Sequence, residues 1–442
     1  MINKNKKEKS INEWQEKGWN PVTGCTKCSP GCKNCYAVDQ ADWLVGMNNP
    51  RYKNGFNVTL HEDVIDEFYK NASKWKKSFL VFVNSMSDLF HEQVPAEFIK
   101  RCFKVMNALP LQKFLVLTKR TNRLLELAPE LEWTDNIIMG TSVEDKGRLF
   151  RIDDLRKCGA KYTMLSVEPL IEDLGDEFNP TGITWVAVAG ESIGNRSKSK
   201  GNSARIMDAS WVRRIKAKCE ECGSHFTFKQ WGGYNRKLAG SVLDGKVWDD
   251  RPVEIFVNHT TSWVKRLREN KALISECDKF ENFNICNWLD ILPLGEEFEK
   301  IAKNYPAGCG ALLCNKPELE NEVLELGMFE RMSTASWLIL VEKQPQFAKY
   351  CCEFKYFNNR DWQWLLEKRP EFMDEAKKHT NAWVWFIEND KNKIDECKIL
   401  KKFNIDNWAY LIFKYPQMLE IAKNYVSETD FAILKNQERS LF

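Results

Sequence analysis

The 442-residue sequence predicts an α/β fold, a partial or complete (β/α) TIM-like barrel, that is followed by an all-α helical repeat domain. Two observations lead to this expectation. Between residues 79 and 233, short apolar runs alternate with amphipathic stretches, as they do in parallel sheets covered by helices. From residue 256 onward this alternation ends, and tryptophan recurs at a period near 25 residues. We therefore expect a barrel domain over residues 1–250 and a repeat domain over residues 256–442.

The predicted strands are short runs that are apolar on both faces and rich in β-branched or aromatic residues. They are Phe79–Val83, Phe114–Leu117, Asn136–Gly140, Tyr162–Val167, Ile183–Gly190 and Phe226–Phe228. Helical patterns lie between them, and the clearest are Pro95–Leu109, Glu144–Cys158 and Asp208–Cys222. Polar residues follow each strand, and in a parallel α/β sheet such residues emerge at the carboxyl edge, where active sites lie. The sequence therefore predicts a functional site at this edge.

The repeat domain is predicted from a tryptophan that is followed eight residues later by a proline. The pairs are Trp337 with Pro345, Trp362 with Pro370 and Trp408 with Pro416. Trp288 begins a fourth copy that lacks the proline. Each copy would be a pair of short helices, with proline in the first turn of the second helix. We expect these tryptophans to form the core of the domain, and the domain to recruit a protein partner.

Composition excludes several classes of protein. The 65 Lys and Arg residues nearly balance the 62 Asp and Glu residues, so net charge alone gives no argument for a polyanionic partner. No apolar run approaches the roughly 18 residues that a membrane span requires, and the first residues contain no apolar signal-peptide core. The 15 cysteines are too few for a disulfide scaffold. We expect a cytoplasmic protein with reduced thiols, in which clustered cysteines bind metal.

The most specific motif is Thr23–Ala37, TGCTKCSPGCKNCYA, which holds Cys25, Cys28, Cys32 and Cys35. Four closely spaced thiols in a reducing compartment select zinc or an iron–sulfur cluster. Two Cys-x2-Cys pairs would supply four ligands for tetrahedral zinc, although the gap between the pairs is short for that geometry. Alternatively, three cysteines bind a 4Fe–4S cluster and leave one iron open. Cys28, Cys32 and Cys35 have the Cys-x3-Cys-x2-Cys spacing of the radical SAM superfamily.

Eight short blocks occur in order along the chain: WNPVTGCTK, SPGCKNCYA, FVNSMSDLFHE, VLTKR, GTSVE, SVEPL, AGES and FKQWGG. Together they resemble an uncharacterised, largely phage-associated family with a three-cysteine motif, which is itself similar to radical SAM enzymes. The resemblance covers roughly residues 12–235. The three cysteines of that family fall on Cys25, Cys32 and Cys35, and Cys28 stands where the family usually has an aliphatic residue. Asn34 occupies a position where many radical SAM enzymes have an aromatic residue.

The resemblance implies a barrel of the radical SAM type, with a 4Fe–4S cluster and S-adenosylmethionine as cofactors. S-adenosylmethionine would be cleaved reductively to a 5′-deoxyadenosyl radical that abstracts hydrogen from a substrate. Its polar groups would contact strand-end side chains, for which the candidates are Asn84, Ser85, Lys119, Ser142, Glu144, Ser166 and Glu168. Lys119 or Arg120 would meet the methionyl carboxylate, and Glu144 or Glu168 the ribose hydroxyls or the amine.

The substrate is expected to be a nucleic acid or a nucleotide, because the resembling family is largely phage-associated. A protein or peptide held by the repeats is the next expectation. His91 beside the second predicted strand end is either an acid–base group or a structural residue. The alternative function is a non-catalytic zinc-binding protein whose helical repeats recruit a protein partner. Iron content against zinc content would separate the two functions.

Overall fold

Eleven short strands are present in the computed structural model, which describes residues 17–193, 203–233 and 240–438. In chain order they are β1 (Lys17–Trp19), β2 (Val22–Thr23), β3 (Thr59–Leu60), β4 (Leu80–Val83), β5 (Lys113–Thr118), β6 (Ile137–Ser142), β7 (Tyr162–Val167), β8 (Trp185–Ala189), β9 (His225–Gln230), β10 (Val242–Leu243) and β11 (Lys246–Val247). Seven of them form one curled sheet, a half-barrel, in the order β1-β4-β5-β6-β7-β8-β9. The pairings from β1 to β8 are all parallel.

The chain divides into two compact units. Of the described residues, 17–227 and Asp250–Asn258 form the unit that carries most of the sheet, and Phe228–Asp249 and 259–438 form the other. All six predicted runs form strands of the sheet, and β1 is an additional strand of three residues. The expectation of a partial α/β barrel followed by a helical region is confirmed. Whether either unit folds by itself stays a prediction.

The central strands are buried along their whole length, which explains their continuous apolar sequence. Every residue of β6 and of β8 is buried. The register places Leu115 beside Ile138 and Met164 beside Trp185, so that these side chains share one face of the sheet. This parallel register also brings the carboxyl ends of β4 to β8 to a single edge.

Six of the described helices belong to this unit. They are α1 (Tyr36–Gly46), α2 (Glu62–Ala72), α3 (Ala96–Asn107), α4 (Thr121–Leu127), α5 (Phe150–Lys157) and α6 (Ala209–Cys222). In α3, Phe98, Cys102 and Met106 recur every four residues and are buried, as expected for an amphipathic helix on a sheet. Among the described helices of the whole chain, none combines the length and the apolar character that crossing a bilayer requires.

Among its described residues, the second unit is helical apart from the last three residues of β9 and the β10–β11 hairpin. Its helices are α7 (Thr260–Glu269), α8 (Ile285–Ile291), α9 (Glu296–Ala302), α10 (Pro306–Asn315), α11 (Glu320–Glu325), α12 (Thr334–Lys343), α13 (Asn359–Lys368), α14 (Met373–Ala376), α15 (Thr380–Asn389), α16 (Ile405–Lys414), α17 (Met418–Ala422) and α18 (Glu428–Glu438). The fourth residue of six of these helices is a tryptophan: Trp263, Trp288, Trp337, Trp362, Trp383 and Trp408. All six are buried, so the expectation that they form a core is confirmed.

Local sequence explains how each repeat begins and ends. Asn284, Asn358 and Asn404 cap their helices through reciprocal hydrogen bonds with the third helical residue. Pro345 and Pro370 begin the short 3₁₀ helices that follow α12 and α13, which matches the expected position of proline. The tryptophans are not evenly spaced: Trp362 follows Trp337 by 25 residues, whereas Trp383 follows Trp362 by 21 residues. The 25-residue interval contains an additional 3₁₀ helix, Phe354–Tyr356, before the next tryptophan helix, whereas in the 21-residue interval α15 follows α14 after three residues.

Candidate active site

The four cysteines lie at the carboxyl edge of the sheet, in the segment Cys25–Cys35, which we call the thiol loop. The loop leaves the sheet at Gly24, which forms a parallel bridge with Ser87 and donates its N–H to the carbonyl of Met86 at 3.1 Å. Gly24 has φ +81°, and a Cβ atom there would lie 2.2 Å from the carbonyl oxygen of Asn57. Only glycine fits this entry to the loop.

The end of β5 holds the first part of the thiol loop through Arg120. Nη2 of Arg120 donates to the carbonyl and to Oγ1 of Thr26, each at 3.0 Å. Its Nη1 donates to Oδ2 of Asp88 at 3.0 Å and lies 3.6 Å from Sγ of Cys25. A guanidinium group with fixed partners therefore stands directly against one of the thiols.

Asp88 and His91, which follow β4, complete this contact. Asp88 also accepts the hydroxyl of Thr118 at 2.7 Å, so it links the ends of β4 and β5. Nδ1 of His91 accepts the N–H of Gln93 at 3.1 Å, so Nε2 carries the ring proton and donates to Oγ1 of Thr26 at 2.8 Å. Burial and the charge of Arg120 lower the pKa of His91, which keeps the ring neutral. Both ring nitrogen atoms are thus engaged, Nε2 with the thiol loop and Nδ1 with the backbone of Gln93, which favours the structural role for His91.

Glu144, just past β6, holds the middle of the thiol loop. Its side chain is fully buried and accepts from Oγ of Ser29 at 2.5 Å, Nζ of Lys119 at 2.6 Å and Nη1 of Arg151 at 2.9 Å. Burial alone would raise the pKa of Glu144, but Lys119 and Arg151 outweigh it and lower the pKa, so the carboxylate is charged. A Cβ atom on Gly31 would lie 2.5 Å from Cγ of Glu144, so the loop backbone packs directly on this side chain.

A third contact follows β8 and holds the last part of the loop. Nδ2 of Asn34 donates to Oε2 of Glu191 at 3.0 Å and to the carbonyl of Ser203 at 2.9 Å. Arg205 pairs with the same Glu191 carboxylate and donates to the carbonyl of Pro30 at 3.0 Å. The ends of β4, β5, β6 and β8 therefore all contribute to fixing the thiol loop.

The protonation of the thiols follows from these neighbours. A hydrogen bond from the Cys28 thiol, together with the nearby Lys119 ammonium group, lowers the pKa of Cys32 to about 4 against the effect of burial. The same hydrogen bond, together with burial, raises the pKa of Cys28. Burial and Asp88 raise the pKa of Cys25 to about 11, and burial raises the pKa of Cys35. One thiolate, Cys32, is thus present without metal, and a bound metal would have to displace the remaining protons.

Two buried amide atoms at the carboxyl edge of the sheet have no hydrogen-bond partner among the described residues. They are Oδ1 of Asn34 and Nδ2 of Asn84, whose residues are 7% and 3% exposed. Asn84 follows β4 with φ +59°, a left-handed conformation that is uncommon for a residue other than glycine. A buried polar atom without a partner costs about 1–3 kcal/mol. One acceptor and one donor are therefore placed where a polar ligand would satisfy them.

The thiol loop offers sulfur donors, which suit zinc or an iron–sulfur cluster. Within residues 17–193, 203–233 and 240–438, no three His, Cys, Asp or Glu side chains are arranged to hold one metal ion. The chemistry of thiolates next to Lys119 and Arg120 fits an iron–sulfur cluster, because these cations offset the negative charge of the thiolates.

The other predicted cofactor residues have the following positions. Oγ of Ser85 donates to Asn20 at 3.3 Å, and its carbonyl accepts the hydroxyl of Tyr36. Ser142 and Ser166 are buried at the ends of β6 and β7, and their carbonyl oxygens accept hydrogen bonds from Arg151 and Val143. Glu168 is half-buried just past β7. All seven predicted residues are thus at one edge of the sheet, although Glu144 is fully engaged by Ser29, Lys119 and Arg151.

Sequence reasoning missed several residues of this site: Ser29, Asp88, Arg151, Glu191 and Arg205. Asp88 lies in the block FVNSMSDLFHE and Glu191 in the block AGES. Both follow a predicted strand, and this position could have identified them as site residues. Arg151 is on α5 and Ser29 is in the loop, and neither stands out by type or spacing.

Comparison with known proteins gives one family and one solved structure. The model of a family described as "Protein of unknown function (DUF5131)" matches residues 9–252. No curated protein matches the sequence. Among solved structures, a spore photoproduct lyase double mutant with bound AdoMet and dinucleoside spore photoproduct matches with a TM-score of 0.32 and 12% identity. The match covers 50% of this chain and 66% of that chain, just under two thirds of its length, and is too slight to bear on function.

Proposed function

The chain belongs to the family described as "Protein of unknown function (DUF5131)", and we propose that it is a radical S-adenosylmethionine enzyme with a 4Fe–4S cluster on the thiol loop. The observation that carries this proposal is the fixation of the loop by Arg120, Glu144 and Glu191 at the carboxyl edge of the half-barrel. A loop held by three separate strand ends keeps its thiols in place for a cofactor. The edge of the sheet around it offers polar side chains for a second ligand.

Three thiolates would bind the cluster and leave one iron open. We assign Cys25, Cys32 and Cys35 to this role, with Cys28 as the additional, solvent-exposed thiol. Arg120 against Cys25 and Lys119 near Cys32 would offset the charge that three thiolates add. Because Lys119 is itself paired with the buried Glu144, this cation keeps its position when the loop is loaded.

When bound, S-adenosylmethionine on such a cluster supplies a 5′-deoxyadenosyl radical after one-electron reduction. Toward this cofactor, Asn84 would donate through Nδ2 and Asn34 would accept through Oδ1, because these atoms have no described partner. We assign Ser85, Ser142 and Ser166 to its remaining polar groups. Glu168 would take the ribose hydroxyls or the amine, since Glu144 is already committed to the loop.

A nucleic acid or a nucleotide is the substrate that we propose, and its support is the sequence resemblance to a largely phage-associated family. We also propose that the helical unit selects the partner or substrate and contributes no catalytic residue. Its recurring tryptophans pack in a buried core. Burial therefore explains why tryptophan recurs in each repeat better than catalysis does.

Metal content after anaerobic purification tests the proposed function. The expected result is brown protein with about four irons per chain, against about one zinc for a non-catalytic zinc-binding protein. Reduced, iron-loaded protein should then release 5′-deoxyadenosine slowly from S-adenosylmethionine. Zinc without iron would favour the alternative function, and an intact cluster without this product would contradict radical chemistry.

A further inference from the structure

The amino edge of the sheet, at the opposite end of the strands from the thiol loop, carries a run of lysines. Four of the twelve residues 69–80 are lysine, and none of the twelve is acidic. Three of these lysines, Lys74, Lys76 and Lys77, precede β4 and are exposed. Lys17, the first residue of β1, is exposed as well. We call Lys17, Lys74, Lys76 and Lys77 the amino-edge patch.

Two aromatic rings place Lys17 beside the other lysines of the patch. Nζ of Lys17 lies over both rings, 5.7 Å from the centroid of Trp75 and 5.1 Å from that of Phe79. Trp75 stands between Lys74 and Lys76 in the chain, and Phe79 directly precedes β4, the strand that pairs with β1. The patch is therefore one surface that two neighbouring strands build together.

The end of helix α2 explains only part of this positive charge. A lysine in the last turn of a helix stabilises the helix dipole, and Lys70 has that position in α2. The patch lysines begin at Lys74, beyond the C-cap residue Ser73. The acidic residues of α2 all lie in its first six residues, where Asp66 is paired with Arg101. The positive charge is thus concentrated past the end of the helix.

The position of the patch separates it from the candidate active site. Strands β1, β4 and β5 are neighbours in the parallel sheet, so their amino ends form one edge. Strand β5 has six residues and spans about 20 Å at about 3.3 Å per residue. Farther along the amino edge, Asp135 before β6 is paired with Lys161 before β7. The excess of positive charge is therefore on the β1 and β4 side, away from the thiols.

The chemistry of the patch favours a phosphate backbone as its partner. Lysine is depleted at protein interfaces, which argues against a protein. A membrane surface would need apolar side chains that enter the lipid, whereas Trp75 and Phe79 are half-buried and pack edge to face at 5.2 Å. Because Lys17 lies over both rings, they are not open for bases to stack on. Contacts to phosphates remain, and these carry no sequence information.

We propose that the amino-edge patch is an exosite that binds the phosphate backbone of a nucleic-acid strand without reading its bases. This inference rests on the proposed function for its choice of partner, because a nucleic acid is the substrate proposed there. It gives such a substrate a second place on the chain, apart from the reacting atoms. Lysines that neutralise phosphates release the cations that surround a nucleic acid, and this release drives binding.

The test measures binding of a fluorescein-labelled single-stranded DNA of about 20 nucleotides to the full-length protein by fluorescence anisotropy. Lys74, Lys76 and Lys77 are all changed to Gln. At about 0.1 M salt this triple variant should bind at least about tenfold more weakly than the wild type. The wild-type slope of log K against log salt should be near about −3, since each phosphate contact on a single strand contributes about 0.7, and the triple variant should lower its magnitude by about 2.

Two further measurements sharpen this test. Lys17→Gln removes one charge from a different strand and should lower the magnitude of the slope by about 0.7. Two DNA strands of unlike base composition should bind the wild type with equal affinity. A strong preference for one of them would show that bases are read, and a wild type that does not bind DNA at low salt would show that no exosite exists.

The matched control changes Lys398, Lys401 and Lys402 to Gln, which removes the same charge from three exposed positions in the other unit. It should keep the wild-type affinity and slope. Equal weakening in the two triple variants would mean that binding follows net charge and not the patch. Unchanged binding in the patch variant would equally contradict the exosite.

One other partner and one other failure have their own outcomes. If the patch variant loses binding to vesicles that contain phosphatidylserine and keeps its affinity for DNA, the patch is a membrane contact and the inference is wrong. DNA binding is measured with and without iron, because the exosite does not need the cluster. A chain that binds DNA through the patch but holds no cluster would contradict the proposed function alone, so the two failures are distinguishable.

Discussion

The hydroxyl of Ser29 donates a hydrogen bond to Oε1 of Glu144 at 2.5 Å, although the two residues are 115 positions apart in the sequence. The same carboxylate is the counter-ion of Lys119 and Arg151. One buried acid therefore joins the middle of the thiol loop to the ends of β5 and β6. The placement of the thiols depends on a residue that binds no metal.

Glu144→Gln should weaken iron binding and lower the thermal midpoint. The substitution keeps the shape of the side chain but leaves Lys119 and Arg151 without their buried counter-ion, and breaking a buried pair costs roughly 3–5 kcal/mol. Iron per chain and thermal unfolding are the measurements. Exposed Glu177→Gln is the control and should change neither. Full iron content in Glu144→Gln would show that this acid does not hold the loop.

Gly31→Ala should also reduce iron content, for a steric reason. The new methyl group would lie 2.5 Å from Cγ of Glu144, which is buried and cannot move aside. Gly46→Ala is a matched control in the next helix, because no atom lies within 4 Å of a Cβ atom there. Equal iron content in the two variants would mean that the loop shifts without losing its function.

The cysteine variants test the ligand assignment. Cys25→Ala, Cys32→Ala and Cys35→Ala should each abolish cluster binding, because an iron without its thiolate is lost. Cys28→Ala should keep the cluster, as measured by iron content and visible absorbance. If Cys28→Ala loses iron while Cys25→Ala retains it, the Cys-x3-Cys-x2-Cys spacing describes the ligands.

Asp361→Asn should stabilise the helical unit above pH 7. Burial raises the pKa of Asp361 to about 7, although the N–H of Asn358 partly offsets it. Between the ordinary pKa near 4 and about 7, the unfolded chain releases this proton while the folded chain keeps it, so stability falls as pH rises through this window. Asn287 and Asn407 hold the equivalent capping position in α8 and α16, so asparagine fits it.

The measurement for Asp361→Asn is the thermal midpoint between pH 4 and pH 8. The wild type should lose on the order of 1–4 kcal/mol across this range relative to the variant, since each pKa unit corresponds to about 1.4 kcal/mol. Parallel curves for the two proteins would show that Asp361 does not titrate in this window.

Trp362→Ala should unfold the helical unit and leave the iron in place. Trp362 is fully buried between Phe354 and His379, and removing a buried aromatic side chain costs roughly 3–5 kcal/mol. Far-ultraviolet circular dichroism and iron content measure the two effects separately. Leu324→Ala, at a residue that is 47% exposed in the same unit, should change stability by less than about 0.5 kcal/mol. Joint loss of helix and iron would mean that the units do not fold independently.

The strands could be predicted because they are buried on both faces. Burial on both faces requires apolar residues at successive positions, as in β6 and β8. Strand β1 has three residues and only one of them, Trp19, is buried, so no pattern marked it. The uneven spacing of the repeats was missed as well. Three intervals are 25 residues, namely Trp263 to Trp288, Trp337 to Trp362 and Trp383 to Trp408, and they suggested a regular period, whereas Trp362 to Trp383 is 21 residues.

The edge of the sheet could be predicted for the candidate site, but the roles of its residues could not. Glu144 was expected to contact a cofactor because it follows a strand, and the sequence holds no sign of its contact with Ser29. Asn34 was noted only because many radical SAM enzymes have an aromatic residue at its position. Its hydrogen bond to Glu191 depends on folding of residues 157 positions apart, which no local pattern can encode.

Asn34 contacts Glu191, and Arg205 contacts Pro30. These contacts determine the order of events during synthesis and folding of the chain. The cysteines leave the ribosome first, since chains are synthesised from the N-terminus and domains fold as they emerge. The residues that fix their loop are added last, as far along the chain as Arg205. In a nascent chain, the thiol loop is therefore not held in its final position until nearly the whole sheet has been synthesised. Under the proposed function, insertion of the cluster would follow folding of the half-barrel.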